Sequence, residues 1–300
     1  MTRATQPTKI ERKILRHVGR AIEDFSLIAE GDRILVAMSG GKDSYGLLTI
    51  LDLLIARAPV RFEVVPWHLD QGQPGYDGTP LRDYLERRGG EFHIQTRDTY
   101  SIVIDKTKEG GTYCALCSRL RRGILYDAAV LHRCNKIALG HHADDAIETL
   151  LLNLLFTGQL KSMPPWLRSD DARNIVIRPL IYSFEADLAA LSAERSFPIL
   201  PCNLCGSQDG MQRQVIKDLV SSLSKTHPRI RHSMISALTR AKPSHLLDTA
   251  LWKRLGLGPL AGNLVDDGQD ELLPSHEALR GDFERPGGED DDRPRLPIAY

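Results

Sequence analysis

Three groups of residues in this 300-residue chain have the types and spacing to do chemistry. The first is Ser39-Gly40-Gly41-Lys42-Asp43-Ser44. Paired glycines let the backbone turn sharply and approach a ligand without a side-chain clash. Lys42 supplies a cation, and Ser39 and Ser44 supply hydroxyl donors. A helix starting here would add unpaired N–H groups and the positive end of its dipole, so the run suits a pyrophosphate. It is not a Walker A loop, which needs four residues between its glycine and the Gly-Lys pair, nor a dinucleotide fingerprint, since the third glycine is missing. The bland alternative is a polar strand–helix turn. The second group is cysteine: four of the five fall into the pairs Cys114/Cys117 and Cys202/Cys205. In a cytosolic chain that spacing suggests metal or redox chemistry before disulfides. Soft thiolates suit an iron–sulfur cluster or zinc, and a dithiol that relays persulfide is a third option. Four thiolates closing around zinc would leave no open position. Cys134, alone near an apolar segment, reads as a small core residue. The third group is Gly140-His141-His142-Ala143-Asp144-Asp145. Asp144 and Asp145 can cap a helix, or one of them can hold magnesium or manage a proton.

The elements that must position these groups follow from hydrophobic period. Residues 8–29 show helical spacing, with Ile10, Ile14, Val18, Ile22 and Phe25 recurring at three and four. Arg33–Met38 is an apolar run of strand length that leads straight into the glycine loop, and Tyr45–Ala56 reads as the helix leaving it. Phe62–Leu69 is the next strand, ending at Asp70, which either caps the turn or contacts nucleotide or metal. A helix is expected over Pro80–Arg88, a strand over Phe92–Thr96, a helix over Ser118–Leu131 and a strand over Lys136–Gly140. Ala143–Phe156 reads as a helix, Ile175–Pro179 as a strand, and helices follow from Glu185 and over Arg213–Leu223. Strands alternating with helices imply right-handed crossovers and a mainly parallel sheet. Its carboxyl edge is the expected nucleotide site.

Composition is ordinary for a soluble domain, and 42% hydrophobic residues are enough to fill a core. No run approaches the roughly 18 apolar residues that span a bilayer. The polar start, Met1 to Gln6, lacks a secretory stretch. A cytoplasmic protein is expected. The formal charge of zero hides a polarity: residues 264–300 carry eleven acids against four arginines, so the remainder holds 35 bases against 28 acids. A basic body with an acidic tail is compatible with a polyanionic partner. Arg119 and Arg122 share a helix face beside Cys117 and, with Arg121, form a basic patch for phosphate or simply a solvated face. Arg168 and Arg178 belong to the same class. From about Gly256 the chain is rich in Gly, Pro and acid, and little order is expected there.

The hexapeptide after an apolar strand resembles the PP-loop of ATP pyrophosphatases. That family adenylates a carbonyl or amide oxygen with magnesium on the phosphates. Its fold is a doubly wound, mainly parallel α/β sheet of the adenine-nucleotide α-hydrolase type. Within that group the chain resembles the TtcA family, tRNA-cytidine 2-sulfurtransferases that install 2-thiocytidine in the anticodon loop. The resemblance rests on Leu69-Asp70-Gln71, on Cys114 through Gly123, on Gly140 through Asp145, and on Met163-Pro164-Pro165. Pro201 through Gln208 and Pro243-Ser244-His245-Leu246 complete it.

The resemblance implies ATP held by Ser39, Gly40, Gly41, Lys42, Asp43, Ser44, Asp70 and Gly140, with Lys42, Asp144 and Asp145 catalytic. It also implies a [4Fe–4S] cluster on three cysteines, Cys114, Cys117 and one of the second pair. Cys205 is preferred by resemblance, with Cys202 left open. Magnesium, tRNA and a sulfur donor such as a cysteine desulfurase follow from the same source. A homodimer is compatible and no membrane is involved. The implied organisation is an N-terminal helical segment over 1–30, the ATP-binding and thiolation domain over 31–250, and the acidic tail over 256–300. Two other classes stay open: a PP-loop amidating or ligating enzyme with structural zinc, and a nucleotide-sensing RNA-binding module.

Overall fold

Strand-length apolar runs build the centre of the molecule because they are hydrophobic on both faces, as a parallel sheet covered by helices requires. The computed structural model describes residues 6–106, 113–169, 171–200 and 209–257. Strands β1 (Asp32–Met38), β2 (Phe62–Asp70), β3 (His93–Thr96), β4 (Lys136–Ala138), β5 (Trp166–Arg168) and β6 (Ile175–Ile177) form one sheet in the order β3-β2-β1-β4-β6-β5. All neighbours run parallel except β5, which pairs antiparallel with β6.

Alternation along β1 divides the core. Ile34, Val36 and Met38 enter the larger cluster, with α1 (Lys9–Phe25), α2 (Lys42–Ile55) and α7 (Glu185–Arg195). Leu35 faces the other side, joining Val65, Trp67 and Ile137 under Ile124, Ala128 and Ala129 of α5 (Tyr113–Leu131). Helix α1 is part of this core: Ile14, Val18 and Ala21 are fully buried, and Thr8 and Glu11 form a reciprocal capping box at its start. Truncating Ile14 alone would cost about 3 kcal/mol.

At the amino edge of the sheet, Lys136 Nζ lies 2.6 Å from Asp32 Oδ2 and 2.9 Å from the Leu27 carbonyl. Burial pushes the Asp32 carboxyl up, but hydrogen bonds from Lys136, Ala29 and Asn135 outweigh it and hold it below the usual range. This pair ties β1 to β4 at the end remote from the glycine loop.

Most elements start and stop near where periodicity puts them, with instructive exceptions. Helix α2 begins at Lys42 rather than Tyr45, so the lysine is its first residue. Helix α5 starts at Tyr113 and carries Cys114 and Cys117 within it, where sequence placed the helix after them. Helix α6 (Ala143–Leu152) gives way to a π-helical turn, Asn153–Thr157. Sequence reading passed over α4 (Thr99–Lys106), the three-residue β5, α9 (Ile230–Leu238) and α10 (Thr249–Leu255). The others are α3 (Thr79–Arg88) and α8 (Asp209–Thr226), the latter packing Ile216 and Val220 on Ile147 of α6. The chain divides between Ser236 and Ala237 into two compact units. No helix among the described residues is long and apolar enough to cross a membrane. The acidic tail lies outside the described residues.

Candidate active site

In the strand order β3-β2-β1-β4-β6-β5 the chain leaves β1 in opposite directions, toward β2 and toward β4. The crevice at such a switch point is where open α/β sheets bind ligands. Two segments meet there: the glycine loop after β1 and Gly140–Asp145 after β4.

Gly40 has φ +82°, and a Cβ there would stand 2.7 Å from Leu200 Cδ1, so both conformation and space demand glycine. Its carbonyl accepts a 2.9 Å hydrogen bond from the Leu200 amide, which fastens the loop from behind. Ser39 Oγ accepts from the Gly41 amide at 3.2 Å, and Ser44 Oγ donates to the Gly41 carbonyl at 2.8 Å. Gly41 caps α2 without a side chain, which leaves first-turn N–H groups for an anion. Lys42 Nζ sits 2.9 Å from Glu185 Oε1 and 3.2 Å from Asp43 Oδ2. Burial pulls the Lys42 pKa down, but Glu185 and Asp43 more than reverse this and the net shift is upward.

Gly140 lies against the loop's underside. A Cβ at this position would stand 3.1 Å from the Asp43 carbonyl and 3.2 Å from the Ser44 nitrogen. Behind it, α6 opens with His142 as its cap residue, whose amide donates to Asp145 Oδ2 at 2.9 Å. Asp144 is buried, and both its oxygens are engaged: Oδ2 accepts from the Glu185 amide at 2.7 Å, and Oδ1 pairs with Arg231 of α9. Asp144 therefore holds α7 and α9 against the site, while Asp145 Oδ2 ties down the start of α6. His141 Nδ1 accepts from Arg178 Nε at 3.3 Å. Burial and the adjacent Arg178 push its pKa down to about 4, so it is neutral at physiological pH.

Asp70 ends β2 on the same edge, where Oδ1 accepts from the Gly72 amide at 2.9 Å. The next residue, Gln71, reaches Cys117: the thiol donates to Gln71 Oε1 at 3.6 Å. The half-buried Cys117 thus belongs to the carboxyl edge of the sheet. Cys114 lies one turn earlier on α5, its side chain outside the described residues. Cys202 and Cys205 lie outside them altogether. Cys134 is buried at the far end, and burial pushes its thiol up to about 11, as an inert core residue requires. Arg119, Arg121 and Arg122 are exposed on α5. Arg168 is exposed on β5, whereas Arg178 is buried.

Sequence reading gave no site role to Glu185, Arg231 or Gln71. Each acts through a partner distant along the chain, so no local spacing announces it.

Residues 8–197 match the model of the PP-loop domain. A tRNA-cytidine(32) 2-sulfurtransferase of Sorangium cellulosum is 59% identical over 249 residues, covering 83% of this chain and 88% of the relative. Its counterpart in Marinobacter nauticus is 54% identical over 253 residues, covering 83% and 84%. Among solved structures, the U34-tRNA thiolase NcsA from Methanococcus maripaludis, with its [4Fe-4S] cluster, superposes with a TM-score of 0.60. At 20% identity over 83% of this chain and 88% of that one, it shows a shared fold. The chain belongs to the tRNA-cytidine 2-sulfurtransferase family of PP-loop proteins.

Proposed function

We propose that this protein thiolates a cytidine in the tRNA anticodon loop, using ATP to activate O2 and releasing AMP and pyrophosphate. The observation that carries the reading is the convergence, at one switch point, of an uncapped glycine-loop helix, the Gly140–Asp145 segment and Cys117. The loop amides and Lys42 bind the phosphates. As charge develops on the departing pyrophosphate, Lys42 exchanges its Glu185 contact for phosphate oxygen. Gly140 lets its segment pack directly against the backbone of the loop that holds the phosphates. Asp145 stands at the head of α6 to position a metal or a proton. An unstacked loop base presents its edge to the crevice, since single-stranded loops expose what a helix hides.

The donor set fits magnesium. Asp43 Oδ1 is buried and accepts no hydrogen bond among the described residues, with the Lys42 ammonium 3.2 Å away, and hard carboxylate oxygen suits this ion. Asp43 and Asp145 would hold it, and it would screen phosphate charge. The cysteine chemistry fits a [4Fe–4S] cluster: Cys117 is half-buried at the sheet edge, with Cys114 one helical turn away. Cys114, Cys117 and Cys205 would hold it, and a cluster with three thiolate ligands supplies one open iron for sulfur. A sulfur donor such as a cysteine desulfurase completes the reaction.

Mass spectrometry of tRNA nucleosides from cells with and without the gene tests the assignment. Loss of 2-thiocytidine on deletion is expected. An unchanged level would sink the substrate while leaving nucleotide binding intact.

A further inference from the structure

Seven charged side chains are buried among the described residues: Glu11, Asp32, Lys136, Asp144, Glu148, Arg178 and Asp187. Six of them have an opposite charge within ion-pair distance: Glu11 with Arg195, Asp32 with Lys136, Asp144 with Arg231, Glu148 with Arg213 and Lys217, and Asp187 with Lys13. Arg178, 9% exposed, is the exception. Its hydrogen bonds go to neutral acceptors, Nη1 to the Pro164 carbonyl at 2.5 Å and Nε to His141 Nδ1 at 3.3 Å. His141 cannot help, because accepting that bond requires it to be neutral. The second terminal nitrogen has no partner among the described residues. A buried charge without an ion pair is costly, so an anion that enters to pair with it is favoured.

The surroundings point the same way. Arg178 directly follows β6, whose last residue pairs with the end of β4, so the guanidinium stands on the carboxyl edge beside Gly140. The Pro164 and His141 bonds fix its plane before any ligand arrives. Burial weighs most against the Arg178 charge; Tyr126 of α5 and, more weakly, Asp145 favour it, while Arg122, exposed on α5 five residues after Cys117, adds a second positive charge that opposes it. Arg178, with no carboxylate within ion-pair distance among the described residues and a second guanidinium on the helix that packs over β4, suits an oxyanion.

We propose that Arg178 and Arg122 form a phosphate receptor at the carboxyl edge of the sheet, filled by a backbone phosphate of the RNA substrate. Naming RNA as the source rests on the proposed function; the receptor itself does not. A phosphate held here lies between the glycine loop and the cysteine helix. It would fix the target nucleotide where both chemistries reach it, and makes Arg178 and Arg122 positioning residues.

The test uses the full chain with Arg178→Lys, Arg122→Ala and the double variant, each checked for folding by thermal melting. Arg122 is exposed, so its variant folds even if Arg178→Lys does not. Binding of tRNA and of ATP is measured separately, each over a range of salt. Expected for each single variant is a roughly tenfold or greater loss of tRNA affinity, with a salt slope smaller by about 1 for Arg122→Ala and little changed for Arg178→Lys, which keeps its charge. The double variant should be little worse than either single one, and ATP affinity should stay within about twofold. Weakened ATP binding with unchanged tRNA binding would keep the receptor but assign it to the nucleotide's phosphates. If wild-type protein binds no tRNA, the functional reading fails, and the ATP arm alone decides the receptor. Unchanged affinity for both ligands in folded Arg122→Ala protein overturns the proposal.

Discussion

Lys42 is the only cation on the glycine loop, and in the structure its charge is spent on Glu185 and Asp43. Both pairs are partly exposed, so each is worth no more than about 1 kcal/mol of stability. Lys42→Ala should therefore melt within a few degrees of wild type and keep its iron, yet lose turnover by at least about a hundredfold, the scale of one preorganised charge in a transition state. Iron content, melting temperature and 2-thiocytidine formation measured on one preparation check this; an active variant would refute the central assignment. The two aspartates opening α6 divide differently. Asp144→Asn removes the counter-charge of the partly exposed Arg231 and should destabilise by about 1 kcal/mol. Asp145→Asn keeps a side-chain oxygen that can accept from the His142 amide, and should leave stability nearly unchanged while cutting the rate. A near-wild-type rate for Asp145→Asn would make that residue purely structural. Sequence alone treated the two as equivalent, because what separates them is Arg231, 87 positions away.

Elements with a strong internal pattern were legible, and those defined by a partner were not. The apolar runs of β1 and β2 and the leucine face of α2 identify themselves, because both the period and the terminating turn lie within a few residues. Strand β5 is three residues, all exposed, and exists through its pairing with β6; nothing in Trp-Leu-Arg predicts it. Sequence starts α5 late because a Cys-x-x-Cys pair resembles a turn outside a helix, whereas Tyr113 already begins it. Its actual placement sharpens the cysteine prediction. Residues three apart on a helix share one face, so the backbone of α5 lets positions 114 and 117 contribute to one centre. Cys114→Ala, Cys117→Ala and one of Cys202→Ala or Cys205→Ala should each lose iron and thiolation together, with Cys205 the expected third position. A closed zinc site would instead make all four substitutions damaging to metal and fold. A persulfide relay would abolish activity at constant metal. Cys134→Ala, buried far from the edge, should keep cluster and activity at a packing cost of about 1 kcal/mol.

Charge is distributed across the whole chain in two blocks, a body carrying an excess of bases and a tail after residue 263 carrying eleven acids against four arginines. Fold and switch point were legible at this scale because strand–helix alternation and right-handed crossovers leave few topologies open. The relation of the tail to the body was not, since net charge speaks to partners and not to packing. The tail's composition nonetheless makes a forecast. Its large apolar residues are few and separated by glycine, proline and acid, so it offers little surface to bury. Deleting residues from Asp266 onward should leave the melting temperature and the rate at saturating tRNA nearly unchanged. The same deletion removes seven net negative charges, so the body left behind should attract a polyanion more strongly. The KM for tRNA should then fall or stay level, with any fall largest at low salt. A rise in KM would mean that the tail contributes contacts to RNA despite its charge. Loss of soluble, folded protein would mean that it packs on the body, contrary to its composition.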